Sequence, residues 1–260
     1  MTDDTQRPSG PRRPGLTQDE QLIVTPIGIP DRRATMSSDP WRVLRIMGEF
    51  VEGFDTLSSV QNGVTLFGSA RVRPENPQYR LAVDVAKRLA DEGFTVITGG
   101  GPGIMEAGNR GASEAGVHTI GLNIELPFEQ GTNPYVDTAI NFRYFFVRKT
   151  MFVKYSIGFI VFPGGFGTLD ELFESLTLIQ TGKIKHFPVI LMGASYWRGM
   201  VDWLRDTMLK EQKIEPGDMD IFTVTDDPKV AVDALMAARA RLMELAAQER
   251  EASHGYRGVF

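Results

Sequence analysis

The sequence predicts one α/β domain: a doubly wound parallel sheet of about seven strands with helices on both faces. Three observations carry that expectation. Short apolar, β-branched runs alternate with longer segments whose apolar residues recur at helical spacing, the pattern of successive βαβ units. Three of the apolar runs end in small or glycine-rich turns, as strands do where a parallel sheet opens to a ligand. The chain has 260 residues, 42% of them hydrophobic, enough for a single large core.

Taken in order, residues 1–38 are rich in Pro, Arg, Asp, Thr and Gly and read as a tail that cannot bury a core of its own. Asp39-Pro40-Trp41 reads as a helix start, with Asp as N-cap and Pro at the first helical position. Val43, Leu44, Met47, Phe50, Val51, Phe54 and Leu57 continue it at helical spacing, giving a leading helix over 39–57. Strands are expected near 64–67, 94–98, 118–122, 138–142, 158–162, 187–192 and 221–224. Helices are expected near 77–92, 103–115, 144–156, 168–181, 195–211 and 228–249. The polar stretch 123–137, with Pro127, Gly131 and Pro134, reads as a long loop, and 250–260 as a C-terminal tail. Right-handed crossovers place every strand-to-helix turn on one edge, so the 39–249 domain is Rossmann-like and binds its ligand there. The 144–156 helix carries Phe145, Phe146, Val147, Met151, Phe152 and Val153. It is apolar nearly all round, which predicts burial both on the sheet and against a twofold-related copy.

The chemistry concentrates where the strand Phe159-Ile160-Val161-Phe162 runs into Pro163-Gly164-Gly165-Phe166-Gly167-Thr168. Gly164, Gly165 and Gly167 allow the backbone to bend and to approach a ligand closely. The helix that follows opens with unpaired amide donors and partial positive charge, an anion site best suited to a phosphate. Thr168 adds a hydroxyl, and Asp170 and Glu171 set carboxylates beside it. The same residues would also serve a plain βα turn capped by Thr168. A second cluster, Gly99-Gly100-Gly101-Pro102-Gly103, follows Phe94-Thr95-Val96-Ile97-Thr98 and leads into Ile104-Met105-Glu106. A third turn is Gly68-Ser69 after Val64-Thr65-Leu66-Phe67. The recurrence points to a nucleotide-sized site. Leu169, Leu172, Phe173 and Leu176 share the core-facing side of the 168–181 helix, and Glu171 lies off it, facing either a ligand or solvent. Arg148, ahead of the strand that feeds the 163–168 turn, can pair with phosphate or bond a base.

Several classes are excluded. Neither glycine cluster completes the dinucleotide fingerprint, since Asp170 and Glu106 stand where a third small residue is required. Gly182-Lys183 is followed by Ile184 and lacks the upstream glycine of a phosphate-binding P-loop. A net charge of −5 gives no pull toward nucleic acid. The chain has no cysteine, and His118, His186 and His254 lack metal-ligand spacing, so neither metal nor cofactor is expected. No apolar run reaches the ~18 residues of a membrane span, and the start lacks a signal-peptide pattern, which predicts a cytoplasmic protein.

These residues together resemble the Lonely guy family, the cytokinin riboside 5′-monophosphate phosphoribohydrolases formerly labelled lysine decarboxylases. The family signature P-G-G-x-G-T-x-x-E is matched without a gap by residues 163–171. Its R-K-x-x-M stretch is similar to Arg148-Lys149-Thr150-Met151, where Met follows one residue sooner. The likeness spans roughly residues 60–245, and the N-terminal extension with GGGPGIMEA is similar to the longer, bacterial branch. The resemblance implies hydrolysis of the N-glycosidic bond of a nucleoside 5′-monophosphate, AMP or an N6-modified relative, to free base and ribose 5-phosphate. It implies Arg148 and Glu171 as catalytic residues. It further implies Gly68, Ser69, Gly100, Gly101, Met105, Glu129, Lys149, Gly164, Gly165, Gly167, Thr168, Asp170 and Thr177 as substrate-binding. It also implies a homodimer core that can assemble to a hexamer. Two alternatives stay open: a nucleotide-binding regulatory protein without turnover, and a nucleic-acid-processing relative.

Overall fold

The structure, a computed structural model, describes residues 18–23, 32–126 and 131–255. The seven expected strands form one parallel sheet in the order β4-β3-β2-β1-β5-β6-β7. They are β1 (Gly63–Phe67), β2 (Thr95–Thr98), β3 (Thr119–Ile124), β4 (Thr138–Phe142), β5 (Ser156–Val161), β6 (Val189–Met192) and β7 (Phe222–Thr225). The chain steps outward from β1 to β4, then returns to lay β5 on the other side of β1. That reversal is the topological switch point, where an open α/β sheet leaves a crevice beyond its strand ends.

The helices are α1 (Gln18–Ile23), α2 (Arg32–Thr56), α3 (Pro77–Asp91), α4 (Ile104–Glu114), α5 (Phe145–Tyr155), α6 (Phe166–Gln180), α7 (Ala194–Trp203) and α8 (Pro228–Gly255). A π-helical turn, Leu204–Leu209, continues α7, where the sequence alone reads as one helix to 211. Both sheet faces are apolar because βαβ crossovers cover both. On one face Val64, Leu66, Ile160 and Phe162 pack against Leu89 of α3, Ile104 of α4 and Leu235 of α8. On the other, Phe159, Val161 and Leu191 pack against Val147 and Phe152 of α5, Leu172 of α6 and Trp197 of α7. Phe67 meets Phe152 and Phe159 edge-on, with ring centroids 4.9 and 5.0 Å apart.

The ends of the chain correct the reading. Within 1–38, residues 18–23 and 32–38 are helical, and the rest of that stretch lies outside the described residues. Asp39 is no N-cap, because α2 begins at Arg32 and Pro40 sits inside it. The fixed φ of proline suits a helix, and the lost bond to the carbonyl four residues back does not stop it here. At the other end α8 runs on to Gly255, through residues read as tail.

Two side-chain expectations also change. Phe173 is 37% exposed, not in the core, and lines a cleft with Leu176, Leu204 and Phe222. The first turn of α5 leaves Phe145 and Phe146 38% and 40% exposed, so its apolar surface is not all covered within one chain. α2 presents Trp41, Val43, Leu44, Met47 and Val51 to solvent, while Ile46 and Phe50 pack inward.

Candidate active site

The three small-residue turns meet at the ends of β2, β1 and β5, the middle of the sheet. The Ser69 amide donates to the Pro163 carbonyl at 3.0 Å, joining the β1 and β5 turns. The Ile104 amide donates to the Ser69 carbonyl at 3.1 Å, joining the β1 turn to the start of α4. The Ser69 hydroxyl accepts from the Arg71 amide at 3.1 Å and so shapes its own turn. Gly68 lies so close to Ile104 that a Cβ would overlap its side chain, and Met105 packs its sulfur against the open side of Gly99. Gly100 and Gly103 adopt positive φ of 72° and 71°, which only glycine accepts freely.

The β5 turn is built differently. α6 starts at Phe166 with Gly165 as its N-cap, so Thr168 sits in the first helical turn and does not cap it. Thr168 is buried and lies against Gly164, where a Cβ would strike its side chain. Gly165 and Gly167 have open space where a Cβ would stand, and Gly165 has an ordinary φ of −92°. Neither packing nor backbone geometry demands these two glycines. The open space leaves room for a ligand to approach the amides of the turn.

Arg148 on α5 and Glu171 on α6 face each other across this turn. Their side chains are 14% and 4% exposed, with Arg148 Nη2 3.9 Å from Glu171 Oε1. That distance is attraction without a hydrogen bond, and both Arg148 Nε and Glu171 Oε1 are buried with no partner. Buried polar atoms left without a hydrogen bond are costly, as they also are at Tyr144 Oη. Burial pushes the Glu171 carboxyl up to about 7, against the pull of Arg148 and Lys149. Burial also lowers Arg148, opposed first by Glu171, yet a guanidinium keeps its proton at any ordinary pH. The cation is stacked over the rings of Phe145 and Phe152, at 5.1 and 5.5 Å from their centroids. Glu171, which the sequence leaves free to be solvated, is thus held against an arginine in a low-dielectric pocket.

Lys149 does not point at this pair. Its Nζ contacts Asp170 Oδ1 and Glu174 Oε2, both at 2.8 Å, and ties α5 to α6. Thr177 lies six residues beyond Glu171, about 9 Å along the helix and on another face, and its hydroxyl donates to the Phe173 carbonyl. It borders a mostly apolar cleft with Phe173, Leu204, Met208 and Phe222, whose polar lining is Gln180 and Asp218 and which includes neither Arg148 nor Glu171. Glu129 lies outside the described residues.

Other residues of the site have no sequence signal. The Tyr196 hydroxyl donates to the Gly164 carbonyl at 2.6 Å and steadies the 163–168 turn from α7. Glu49 of α2 is buried and accepts from the Arg143 amide at 3.2 and 3.1 Å, anchoring the approach to α5. Asp19 of α1 accepts from the Phe145 amide and attracts Arg148, while burial raises its carboxyl. All of these contacts span long sequence separations, which no local pattern encodes. Among the described residues no cluster of His, Cys, Asp and Glu could hold a metal ion.

Comparison with known proteins identifies the relatives of this chain. The family described as "possible lysine decarboxylase" matches residues 105–235. The cytokinin riboside 5′-monophosphate phosphoribohydrolase of Mycobacterium tuberculosis is 31% identical over 156 residues, 59% of this chain and 83% of its own length. An Arabidopsis thaliana protein of the same description is 30% identical over 158 residues, 59% of this chain and 72% of its own length. Among solved structures, the molybdenum cofactor carrier protein of Chlamydomonas reinhardtii superposes with a TM-score of 0.53 at 22% identity, covering 69% of this chain and 99% of its own, a likeness of fold. The signature at 163–171 and these matches together establish that the chain belongs to the Lonely guy family, the cytokinin riboside 5′-monophosphate phosphoribohydrolases once described as lysine decarboxylases.

Proposed function

We propose that this protein hydrolyses the N-glycosidic bond of a purine nucleoside 5′-monophosphate, either AMP or an N6-modified, cytokinin-type relative. The observation that carries the reading is the buried Arg148–Glu171 pair with unpaired polar atoms, set beside a glycine turn that opens a helix. The activity named for its relatives supports it. The 5′-phosphate sits on the amides around Gly164, Gly165 and Gly167 and the Thr168 hydroxyl, and its binding energy positions the reacting bond. As the C1′–N bond breaks, positive charge builds on the ribose, as in other glycoside cleavages. Ionised Glu171 holds ribose hydroxyls and stabilises that charge, and Arg148 orients the base and eases its departure. Water supplies hydroxide to C1′ and a proton to the base, giving ribose 5-phosphate and free purine. A binder without turnover would have no use for the arginine–glutamate pair.

The substrate is taken at an assembly of copies. Phe145, Phe146 and Phe173 of the α5–α6 face are partly exposed, Phe166 is 92% exposed, and α2 adds its own apolar row. Apolar surface on this scale is typical of an interface, and a closed twofold dimer is the simplest way to cover it. α2 is then available to join dimers into a hexamer. No described helix is long and apolar enough to cross a membrane. Incubation with AMP and chromatography for free adenine tests the activity: turnover of AMP with adenosine left intact is expected. Adenosine cleaved as fast as AMP would contradict anchoring through the phosphate. Light scattering that gives the mass of one 28.9 kDa chain at micromolar concentration would remove the dimer.

A further inference from the structure

Beneath the 99–103 turn lies a closed polar network. Thr98 and Asn109 are 0% exposed and Asn133 is 7% exposed. Thr98 Oγ1 donates to Asn109 Oδ1 at 2.6 Å and accepts from the Gly100 amide at 2.9 Å. Asn109 Oδ1 also accepts from Asn133 Nδ2 at 2.9 Å, and Asn109 Nδ2 donates to the Ile120 carbonyl at 3.3 Å. Asn133 Nδ2 donates to the carbonyls of Gly100 and Gly101, both at 3.1 Å. Its backbone amide donates to the Gly100 carbonyl at 2.8 Å, and its Oδ1 accepts from the Tyr135 amide at 3.1 Å. Each asparagine uses its nitrogen to donate and its oxygen to accept, so both amides have one orientation and the backbone above them has one as well.

That orientation decides what the outer side of the turn offers. In a trans peptide the C=O and the following N–H point in opposite directions, and the described peptides are all trans. The Gly100 amide is turned inward to Thr98, so the Gly99 carbonyl faces away from the network. The Gly100 carbonyl is turned inward to Asn133, so the Gly101 amide faces away. The Gly101 carbonyl is also turned inward, and the residue after it, Pro102, has no amide hydrogen to present. Neither the Gly99 carbonyl nor the Gly101 amide makes another backbone hydrogen bond among the described residues. The outer side of the turn, at half-buried Gly99 and buried Gly101, therefore carries one acceptor and one donor. A phosphate accepts only and would be repelled by the carbonyl. A hydroxyl both gives and takes a hydrogen bond.

We propose that Asn133, backed by Asn109 and Thr98, is a positioning residue that fixes the 99–101 backbone to read a sugar hydroxyl of the substrate. The inference rests on the phosphoribohydrolase reading and deepens it. The two glycine turns divide the nucleotide, with phosphate at 163–168 and ribose at 99–101. Asn133 touches no substrate and acts through the two carbonyls it holds.

The test is calorimetric titration of the full chain with ribose 5-phosphate and, separately, with inorganic phosphate. Asn133→Asp keeps the size and the acceptor but loses the donor. It is expected to weaken ribose 5-phosphate by about tenfold, the worth of one good hydrogen bond, and to leave inorganic phosphate unchanged. Its KM for AMP should rise more than its kcat falls. Asn133→Ser keeps one small donor without the added charge, and should fall between parent and Asp variant. Equal losses for both ligands, or no loss in either variant, would overturn the proposal, as would a parent that binds inorganic phosphate but not ribose 5-phosphate. A parent that binds neither and leaves AMP intact would instead overturn the functional reading beneath it.

Discussion

The two glycine-rich turns beside β1 look alike in sequence and are held in opposite ways. The 99–103 turn is wired from below by Thr98, Asn109 and Asn133. Two of its glycines are demanded by the fold. Gly100 and Gly103 have positive φ, and a Cβ at Gly103 would run into the backbone of Ser69 and Ala70. The 163–168 turn has no positive φ among its glycines, and Gly165 and Gly167 border open space. A glycine can thus serve the chain or serve the ligand. The two cases are told apart by asking what a methyl group would strike.

The sharpest way to break this contrast is chemical. If the reaction belongs beside the 163–168 turn, Glu171→Gln and Arg148→Ala should each lower kcat for AMP by a factor of about 100 to 1,000, the cost of losing one preorganised charge contact at a transition state. Steady-state assay of folded variants measures it, and a kcat within threefold of the parent would remove that residue from catalysis.

A smaller effect separates the turns directly. Gly103→Ala should lower stability by about 1–3 kcal/mol through strain at positive φ, seen as an earlier thermal midpoint. Gly165→Ala should melt with the parent and yet raise KM for AMP, since the new methyl occupies only the space of the ligand. The contrast would be lost if Gly165→Ala bound AMP as well as the parent, or if Gly103→Ala kept the parent's midpoint.

The smallest effect is a pH dependence. Burial raises Glu171 from its ordinary 4.5 to about 7. Folding therefore favours the protonated acid. The stability this contributes is complete below pH 4.5 and is lost as pH rises through about 7. Glu171→Gln cannot ionise and escapes the loss. Its thermal midpoint relative to the parent should climb between pH 5 and pH 8, and a constant difference would show that the carboxyl titrates normally. The proposed mechanism uses ionised Glu171, so kcat/KM should rise over the same interval.

The sequence predicts most of the fold because strand and helix patterns are local. All seven strands and the helices that follow them lie within a few residues of where periodicity places them. The turns at 68–69, 99–103 and 163–168 are legible for the same reason. What sequence cannot show is a side chain that acts across the fold. Asn133 lies 32 residues from Gly101, and Tyr196 lies 32 from Gly164. Helical spacing takes Glu171 off the core face, whereas Thr168, Glu171, Leu172, Ser175 and Leu176 form the buried face of α6 and Arg148 meets Glu171 there from another helix. The resemblance implies Lys149 as a ligand residue, and what no local pattern shows is that its Nζ engages Asp170 and Glu174. The start of α2 is misplaced because Asp39-Pro40 is a good local cap that a longer helix overrides.

α5 ends at Tyr155 and β5 begins at Ser156, with no loop between them, and α6 follows four residues after β5. Arg148 and Glu171 are therefore carried on one nearly seamless run of secondary structure through the middle of the sheet. The gap between them is set like the jaws of a fixed gauge, not by a movable flap. Heating cannot part them by loosening a loop, because they separate only when the central strands themselves give way. Catalytic competence should then persist up to the temperature at which the whole domain melts, with no earlier decline.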